Sequence, residues 1–276
     1  MKRIFLSFLL AGLLFTAQAQ VKFPAASPAQ TIKQDFGLGT LEWSYSRPSL
    51  KGRQLYTDLA PEGKLWRTGA NSATTLTISD EIIIAGKTIG AGKYGLLTIP
   101  GRKSWTVILT RQTNVTSDPA VYKESEDVVR INVVPVASKN SVETFTIQLA
   151  NITPTTGELQ LAWGPVIVPV PLKTNIDGRI MASIDASIGS DKPAYFPAAS
   201  YYLENNKDLD KAIAWFEKAA AAQPKAYWIH YQHAKALAKA GRKKEAKAAA
   251  EKSMQLAKAN NNDDYVRNNQ KLIATL

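Results

Sequence analysis

The chain has 276 residues, 45% of them hydrophobic, which is enough for two domains with sizeable cores. It carries a net charge of +11 and no cysteine. That excludes disulfides, thiol catalysis, thiolate metal sites and a lipid-modified N-terminal cysteine. The charge is uneven: residues 193–276 hold 14 Lys and Arg against 8 Asp and Glu, whereas residues 20–192 hold 18 against 15. A lysine-rich solvated helical face explains most of this excess. An anionic surface, a glycan or an acidic protein would exploit it, and no nucleic-acid partner is expected of an exported chain.

The first residues read as an address. Lys2 and Arg3 precede an apolar run from Ile4 to Phe15, and Ala17-Gln18-Ala19 is an A-x-A cleavage signal. The expectation is a signal peptide over 1–19, a mature chain beginning at Gln20, and an exported, soluble protein of the periplasm or beyond. The run is too short to span a bilayer comfortably, so no membrane span is expected after cleavage.

Residues 20–29 form a lead-in, and from Gln30 to about Leu172 the pattern is that of strands. Leu41 to Tyr45 alternates, Thr74 to Ile78 is β-branched, and Ile82-Ile83-Ile84 turns at Ala85-Gly86-Lys87 into Thr88-Ile89. Gly92–Ile99, Trp105–Leu109, Val128–Val136, Thr144–Leu149 and Leu159–Trp163 continue the series, with turns read at Pro100-Gly101, Ser138 to Asn140 and Pro154 to Gly157. Short strands at this spacing, without helical patterns between them, predict an antiparallel sandwich over 20–172. Val166 to Pro171 contains Pro169 and Pro171, which cannot donate to a ladder, so an edge or exit segment is expected there.

The period then changes. Ile176, Ile180, Ile184 and Ile188 fall four apart, with Asn175 or Asp177 as a cap, predicting a helix that bridges 173–192 and lies on the sandwich. Residues 193–276 repeat: Ala212, Phe216-Glu217-Lys218-Ala219 recurs thirty-four residues later as Ala246, Ala250-Glu251-Lys252-Ser253, and Leu203 aligns with Leu237. This tail resembles the tetratricopeptide repeat, a 34-residue pair of helices. Its Trp-Leu-Gly positions are degenerate and the second copy lacks the closing proline, Pro224. Two units and a final helix fall short of the usual three, so the tail is expected to pack on the sandwich. The predicted fold class is an all-β sandwich domain followed by an all-α, tetratricopeptide-like helical-repeat tail.

Three polar strings mark the sandwich half: Tyr45-Ser46-Arg47-Pro48-Ser49-Leu50-Lys51-Gly52-Arg53, then Gly63 to Thr75, then Ala91 to Gly101 with Trp105. These strings resemble the bacterial family called domain of unknown function 2911, over roughly residues 27–172. The resemblance implies a secreted β-rich domain and no activity, because the family has no established one.

The residues must therefore be read physically. Pro48 holds Arg47 extended. If the loop carrying Arg47, Lys51 and Arg53 folds back beside Trp66-Arg67, cations meet aromatic rings, a combination suited to carboxylates and phosphates. Asn71 and Thr74 add neutral donors and acceptors. The candidate ligand-binding set is Tyr45, Arg47, Arg53, Trp66, Arg67, Asn71 and Thr74, for a polar or anionic small ligand or a glycan. The bland account pairs Arg47 and Arg67 with Glu42, Asp58 or Glu62 and makes Trp66 a core anchor.

The same carboxylates carry an alternative, a glycan- or ester-cleaving hydrolase, since glycoside hydrolysis needs two carboxylates about 5–10 Å apart. No motif fixes that spacing. No G-x-S-x-G occurs, and both histidines, His230 and His233, lie in the tail. Their i, i+3 spacing places them on one face among Tyr227, Trp228 and Tyr231, which reads as a packing or partner face, not a metal site. Gly90-Ala91-Gly92-Lys93 is a hairpin that lacks the P-loop hydroxyl. Asn114-Val115-Thr116 and Asn151-Ile152-Thr153 match the glycosylation acceptor only formally. No cofactor or metal is expected, and the tail is the expected surface for a protein partner.

Overall fold

The computed structural model describes residues 23–116 and 119–276, so the signal expected over 1–19 lies outside the described residues. The chain divides into two compact units, the first ending at Asn175 and the second beginning at Ile176.

Alternating burial builds the first unit. Ten strands form among the described residues: β1 (Ala29–Phe36), β2 (Gly39–Ser46), β3 (Thr74–Ile78), β4 (Ile82–Ile84), β5 (Lys87–Ile89), β6 (Gly92–Ile99), β7 (Trp105–Thr110), β8 (Asp127–Val133), β9 (Val136–Ala150) and β10 (Thr156–Lys173). They make two antiparallel sheets, one in the order β1-β2-β3-β6-β7-β8 and one in the order β5-β4-β10-β9. The tight turn between β4 and β5 is made by Ala85 and Gly86, both at positive φ, the geometry that two-residue hairpins require. Between the sheets lies one apolar core. Trp43, Leu76, Leu96 and Trp105 from the larger sheet share it with Phe145, Ile147, Leu161 and Trp163 from the smaller.

The edge of the smaller sheet is closed by side chains and backbone of the segment that leaves β2. Tyr45 Oη accepts the Ile147 N–H at 2.9 Å, and Trp43 Nε1 donates to the Ile147 carbonyl at 3.0 Å. Phe145 N–H donates to the Pro48 carbonyl at 2.9 Å, and Arg47 Nε donates to the Phe145 carbonyl at 3.0 Å. Leu50 N–H donates to the Glu143 carbonyl at 2.9 Å. Alternate residues of β9 thus find partners on the side away from β10, which an open edge strand would lack.

Several expected boundaries differ. The turn expected at Ser138 to Asn140 is part of β9, and the strand expected over Val128–Val136 divides into β8 and β9 around Val134-Pro135. Val166 to Pro171 is the second half of β10, a strand with neighbours on both sides, and not an edge strand. Its prolines are tolerated because the ladder has a gap there: Ile167 is the last partner of β9, and pairing to β4 occurs at Lys173.

The second unit holds six helices: α1 (Asp177–Ile188), α2 (Tyr195–Glu204), α3 (Leu209–Ala222), α4 (Tyr227–Lys239), α5 (Lys243–Ala259) and α6 (Asp263–Ala274). Asp208 and Asn262 cap α3 and α6 by accepting the N–H groups of Lys211 and Tyr265. The helix expected to serve the sandwich is α1. It instead gives Ile180, Ile184 and Ile188 to the core of the helical unit, alongside Tyr202 and Phe216. Neither expected cap acts: Ile176 occupies the cap position without a side-chain bond, and Asp177 binds Tyr201 Oη at 2.6 Å and Lys207 Nζ at 2.9 Å.

His233 packs against the Phe216 ring at 6.4 Å, and His230 Nε2 lies 3.0 Å from the Pro224 carbonyl. Burial is the main cause holding the His233 imidazole below its ordinary pKa, with nearby Glu217 and Glu245 opposing and His230 and Arg242 adding to the effect. In the unfolded chain this imidazole protonates near 6.5, and in the folded chain only at lower pH. The unfolded state therefore binds more protons below that pH, so stability is full above it and declines as pH falls. Urea midpoints read by helical circular dichroism should fall between pH 7 and pH 5, and His233→Phe should flatten that decline.

A second outcome concerns the closed edge. Tyr45→Phe removes the acceptor of a buried N–H, so it should destabilise the two-sheet unit by about 1–3 kcal/mol in denaturant titrations followed by tryptophan fluorescence.

Candidate functional site

The site is built by an interruption in a strand. Trp66 pairs with Thr98 of β6 through two backbone bonds of 2.7 and 2.9 Å. The chain then leaves the sheet and rejoins β6 where Thr74 faces Leu96. Residues 67–73 form the excursion between. Two of them, Thr68 and Asn71, adopt positive φ, which is uncommon for any residue but glycine and an outlier for a β-branched one.

Buried hydroxyls hold this shape. Thr68 Oγ1 donates to Thr98 Oγ1 at 3.1 Å, and Thr74 Oγ1 donates to the Thr68 carbonyl at 2.6 Å. Thr74 N–H closes the excursion onto the Arg67 carbonyl at 3.2 Å. Its outer side is tied to the end of β2. Ala70 N–H donates to the Ser46 carbonyl at 3.2 Å, and Asn71 Nδ2 donates to the Ser27 carbonyl and to Ser46 Oγ, each at 3.3 Å. Between them Gly69 approaches so closely that a Cβ there would lie 3.0 Å from the Ser46 carbonyl oxygen and 2.9 Å from Thr74 Oγ1. Strain of this kind, fixed by surrounding bonds, is a reason to look for function.

The excursion forms one wall of a cleft of about 240 Å³, to which Arg67, Gly69 and Ala70 contribute. Trp66 and Trp163 line it too, stacked at 5.3 Å with an interplanar angle of 16°. Arg53 and Asp58 complete its polar lining with Ser27.

The cations differ in how they are used. Arg47 is spent internally: besides Phe145 it reaches Thr146 Oγ1 at 2.8 Å. Arg53 donates to the carbonyls of Leu50 and Ser49 at 3.0 and 2.8 Å. The Arg67 guanidinium takes part in no hydrogen bond or ion pair among the described residues, and its Nε is buried. A buried donor without an acceptor is costly, and a ligand carboxylate or phosphate would supply what is missing.

The structure thus brings Arg53, Trp66 and Arg67 to one cleft and gives the other sequence-derived candidates different work. Tyr45 is a core residue bonded at both ends, donating to Gln30 Oε1 at 2.9 Å, and burial pushes its phenol up. Arg47, Asn71 and Thr74 are fasteners. Glu62 accepts the Arg102 N–H at 2.9 Å and pairs with its Nε at 3.4 Å, while Asp58 Oδ2 accepts the Gln54 N–H at 2.8 Å around the wide helical turn Leu55–Leu59. The expected pairing of Arg47 or Arg67 with Glu42, Asp58 or Glu62 does not occur, whereas Trp66 is a core anchor as that account has it, 9% exposed and packed on Trp105, Phe145 and Trp163.

Trp163 was not among the sequence-derived candidates. It lies 97 positions beyond Trp66, and its only local signal is that it closes the alternating run Leu159, Leu161, Trp163. A larger groove of about 650 Å³ lies elsewhere, lined by Ile83, Ile131, Val133, Val134, Pro169 and Pro171 among others. It is apolar, with Lys173 as its charged lining residue, and it lacks the convergent polar groups of the smaller cleft.

The family described as protein of unknown function (DUF2911) matches residues 27–172, which contain the six-stranded sheet, all but the last residue of the four-stranded one, and every lining residue of the cleft. No curated protein and no solved structure matches the chain.

The two arginines give a direct contrast. Arg47→Ala should cost about 1.5–3 kcal/mol in denaturant midpoints, because charged donors to two acceptors are lost. Arg67→Ala should cost less than about 1 kcal/mol, because no internal bond goes with it.

Proposed function

We propose that this chain, which belongs to the DUF2911 family, is an exported envelope protein that binds a small polar or anionic ligand, or a glycan, without turning it over. The observation that carries the reading is Arg67, which lines one cleft with two stacked indoles and whose guanidinium has no acceptor among the described residues. Its carrier, the 67–73 excursion, is rigidly fastened and strained at Thr68, as expected of a preorganised wall.

Export rests on the leader-like start; separately, among the described residues no helix is long and apolar enough to cross a membrane. The helical unit serves in this reading as a tetratricopeptide-like partner-binding tail. The thirty-four-residue offset supports that: Ala212 and Ala246 are both fully buried, as are Phe216 and Ala250, and Leu203 matches Leu237 at 6% and 2% exposure. Trp228, 38% exposed beside Tyr227, gives such a partner an aromatic contact.

The hydrolytic alternative has one observation in its favour, the place of Asp58 on the cleft wall. A two-carboxylate mechanism finds no second acid among the lining residues, since Glu62 is engaged by Arg102 and Glu42 sits on β2.

Thermal melting of the chain with carboxylates, phosphorylated compounds and glycans tests the reading. A true ligand at 100 times its Kd should stabilise by about 2.7 kcal/mol, raising Tm of the two-sheet unit by about 5–10 °C. The shift should vanish in Arg67→Ala and shrink in Arg67→Lys, whose ammonium cannot form the forked contact. Consumption of any of these compounds, lost in Asp58→Asn, would establish the hydrolase instead.

A further inference from the structure

Resting on that reading of the cleft, we infer that its ligand is a small zwitterion of amino-acid size, with Arg67 taking the carboxylate and Asp58 the ammonium group. The inference starts from opposite charges that line one small cleft without meeting, Arg53 and Arg67 against Asp58. Arg67 and Asp58 are both wall residues of the same 240 Å³ space. Yet Arg67 has no ion-pair partner among the described residues, so the two groups stand more than a salt-bridge distance apart.

Each is held from joining the other. Asp58 accepts the Gln54 N–H through Oδ2 and the Thr57 hydroxyl through Oδ1, at 2.8 and 3.1 Å, which fixes it in the Leu55–Leu59 turn. Each oxygen accepts a single bond there and keeps lone-pair capacity for a ligand N–H. Arg67 is carried by the excursion, whose backbone is fastened at Thr68, Ala70 and Thr74. A cation on a fastened backbone and an anion held in its turn, lining one cleft, match a ligand that carries the opposite pair of charges.

Arg53, also in the lining, spends donors on the Leu50 and Ser49 carbonyls, which leaves Arg67 as the cation without internal bonds, while Asp58 in the same lining opposes a simple anion. Trp66 and Trp163, stacked on each other and only 9% and 2% exposed, reach the cleft as a small apolar floor on which a side chain can rest. The volume sets the scale. At about 30 Å³ per water, the cleft equals roughly eight waters, the scale of a free amino acid or a small dipeptide.

The test compares three probes with matched side chains on the whole chain: L-phenylalanine, N-acetyl-L-phenylalanine and L-phenylalaninamide, with the leucine series and the corresponding dipeptides beside them. Isothermal titration and tryptophan fluorescence should show at least one free zwitterion binding about tenfold or more tighter than both of its singly charged counterparts. In Asp58→Asn, which keeps an acceptor for the turn, the advantage over the N-acetyl compound should disappear. In Arg67→Ala the advantage over the amide should disappear. An N-acetyl compound that binds as tightly as its parent overturns the zwitterion and leaves a cleft for anions. Binding confined to phosphorylated compounds or glycans also overturns it while leaving the binding reading intact. Silence from every compound, with Arg67→Ala indistinguishable from the parent, overturns both.

Discussion

The free edge of β9 is the constraint from which the rest of the two-sheet unit follows. An edge strand must find partners for alternate N–H and C=O groups, and here the segment from Trp43 to Leu50 provides them. That requirement consumes Tyr45 and Arg47, bends the chain at Pro48, and carries it on to Arg53 and the Leu55–Leu59 turn, where Asp58 is set. On the other wall, Trp66 is fixed by its pairing with Thr98 and by its stack on Trp163. The cleft is what remains between these two fastenings. Its polar residues are therefore those that neither sheet needs for its own bonds.

Much of this was legible in the chain, and the illegible part has a common cause. Alternation and β-branching marked most strands because half-buried strands repeat every two residues, and the thirty-four-residue offset marked the helical unit. The segment Gly63 to Thr75 stood out because it mixes an indole, a guanidinium and hydroxyls between two turns. Nothing in it told the arginines apart. Arg47 and Arg67 are the same residue type in similar polar strings, yet one reaches β9 almost a hundred residues away and the other bonds to none of the described residues. Trp163 was missed for the same reason, since its place beside Trp66 depends on how one sheet lies over the other. The misread segments obey different physics. Ser138 to Asn140 has turn composition, but β9 continues through it where Gly164 at positive φ and two register shifts let β10 follow. The isoleucines of α1 showed that a helix would form and gave no sign of which core would receive it.

The helical unit obeys a different economy. Its core mixes alanines at close approach, Ala199, Ala212, Ala234, Ala236, Ala246 and Ala250 among them, with large anchors such as Tyr202, Trp215, Phe216 and Leu237. Into this packing it admits a polar residue, Asn269, wholly buried and bonded through Nδ2 to Ser253 Oγ at 2.9 Å and to the Tyr265 carbonyl at 2.7 Å. Small residues let helices sit close, and a bonded buried amide restricts which helix can sit beside α5. Composition accounts for the charge as well: lysines occupy positions that the alanine core leaves facing outward.

The two prolines of β10 have an effect beyond the ladder in which they sit. A stretch of apolar strand with open N–H and C=O groups is a template for stray chains. Pro169 and Pro171 lie where β10 has neither β9 nor β4 as a partner, beside the apolar residues Ile131, Val133 and Val134. At both positions the N–H that an incoming strand would need is missing. This apolar groove is thus also a surface that lacks the donors on which an added strand would have to build.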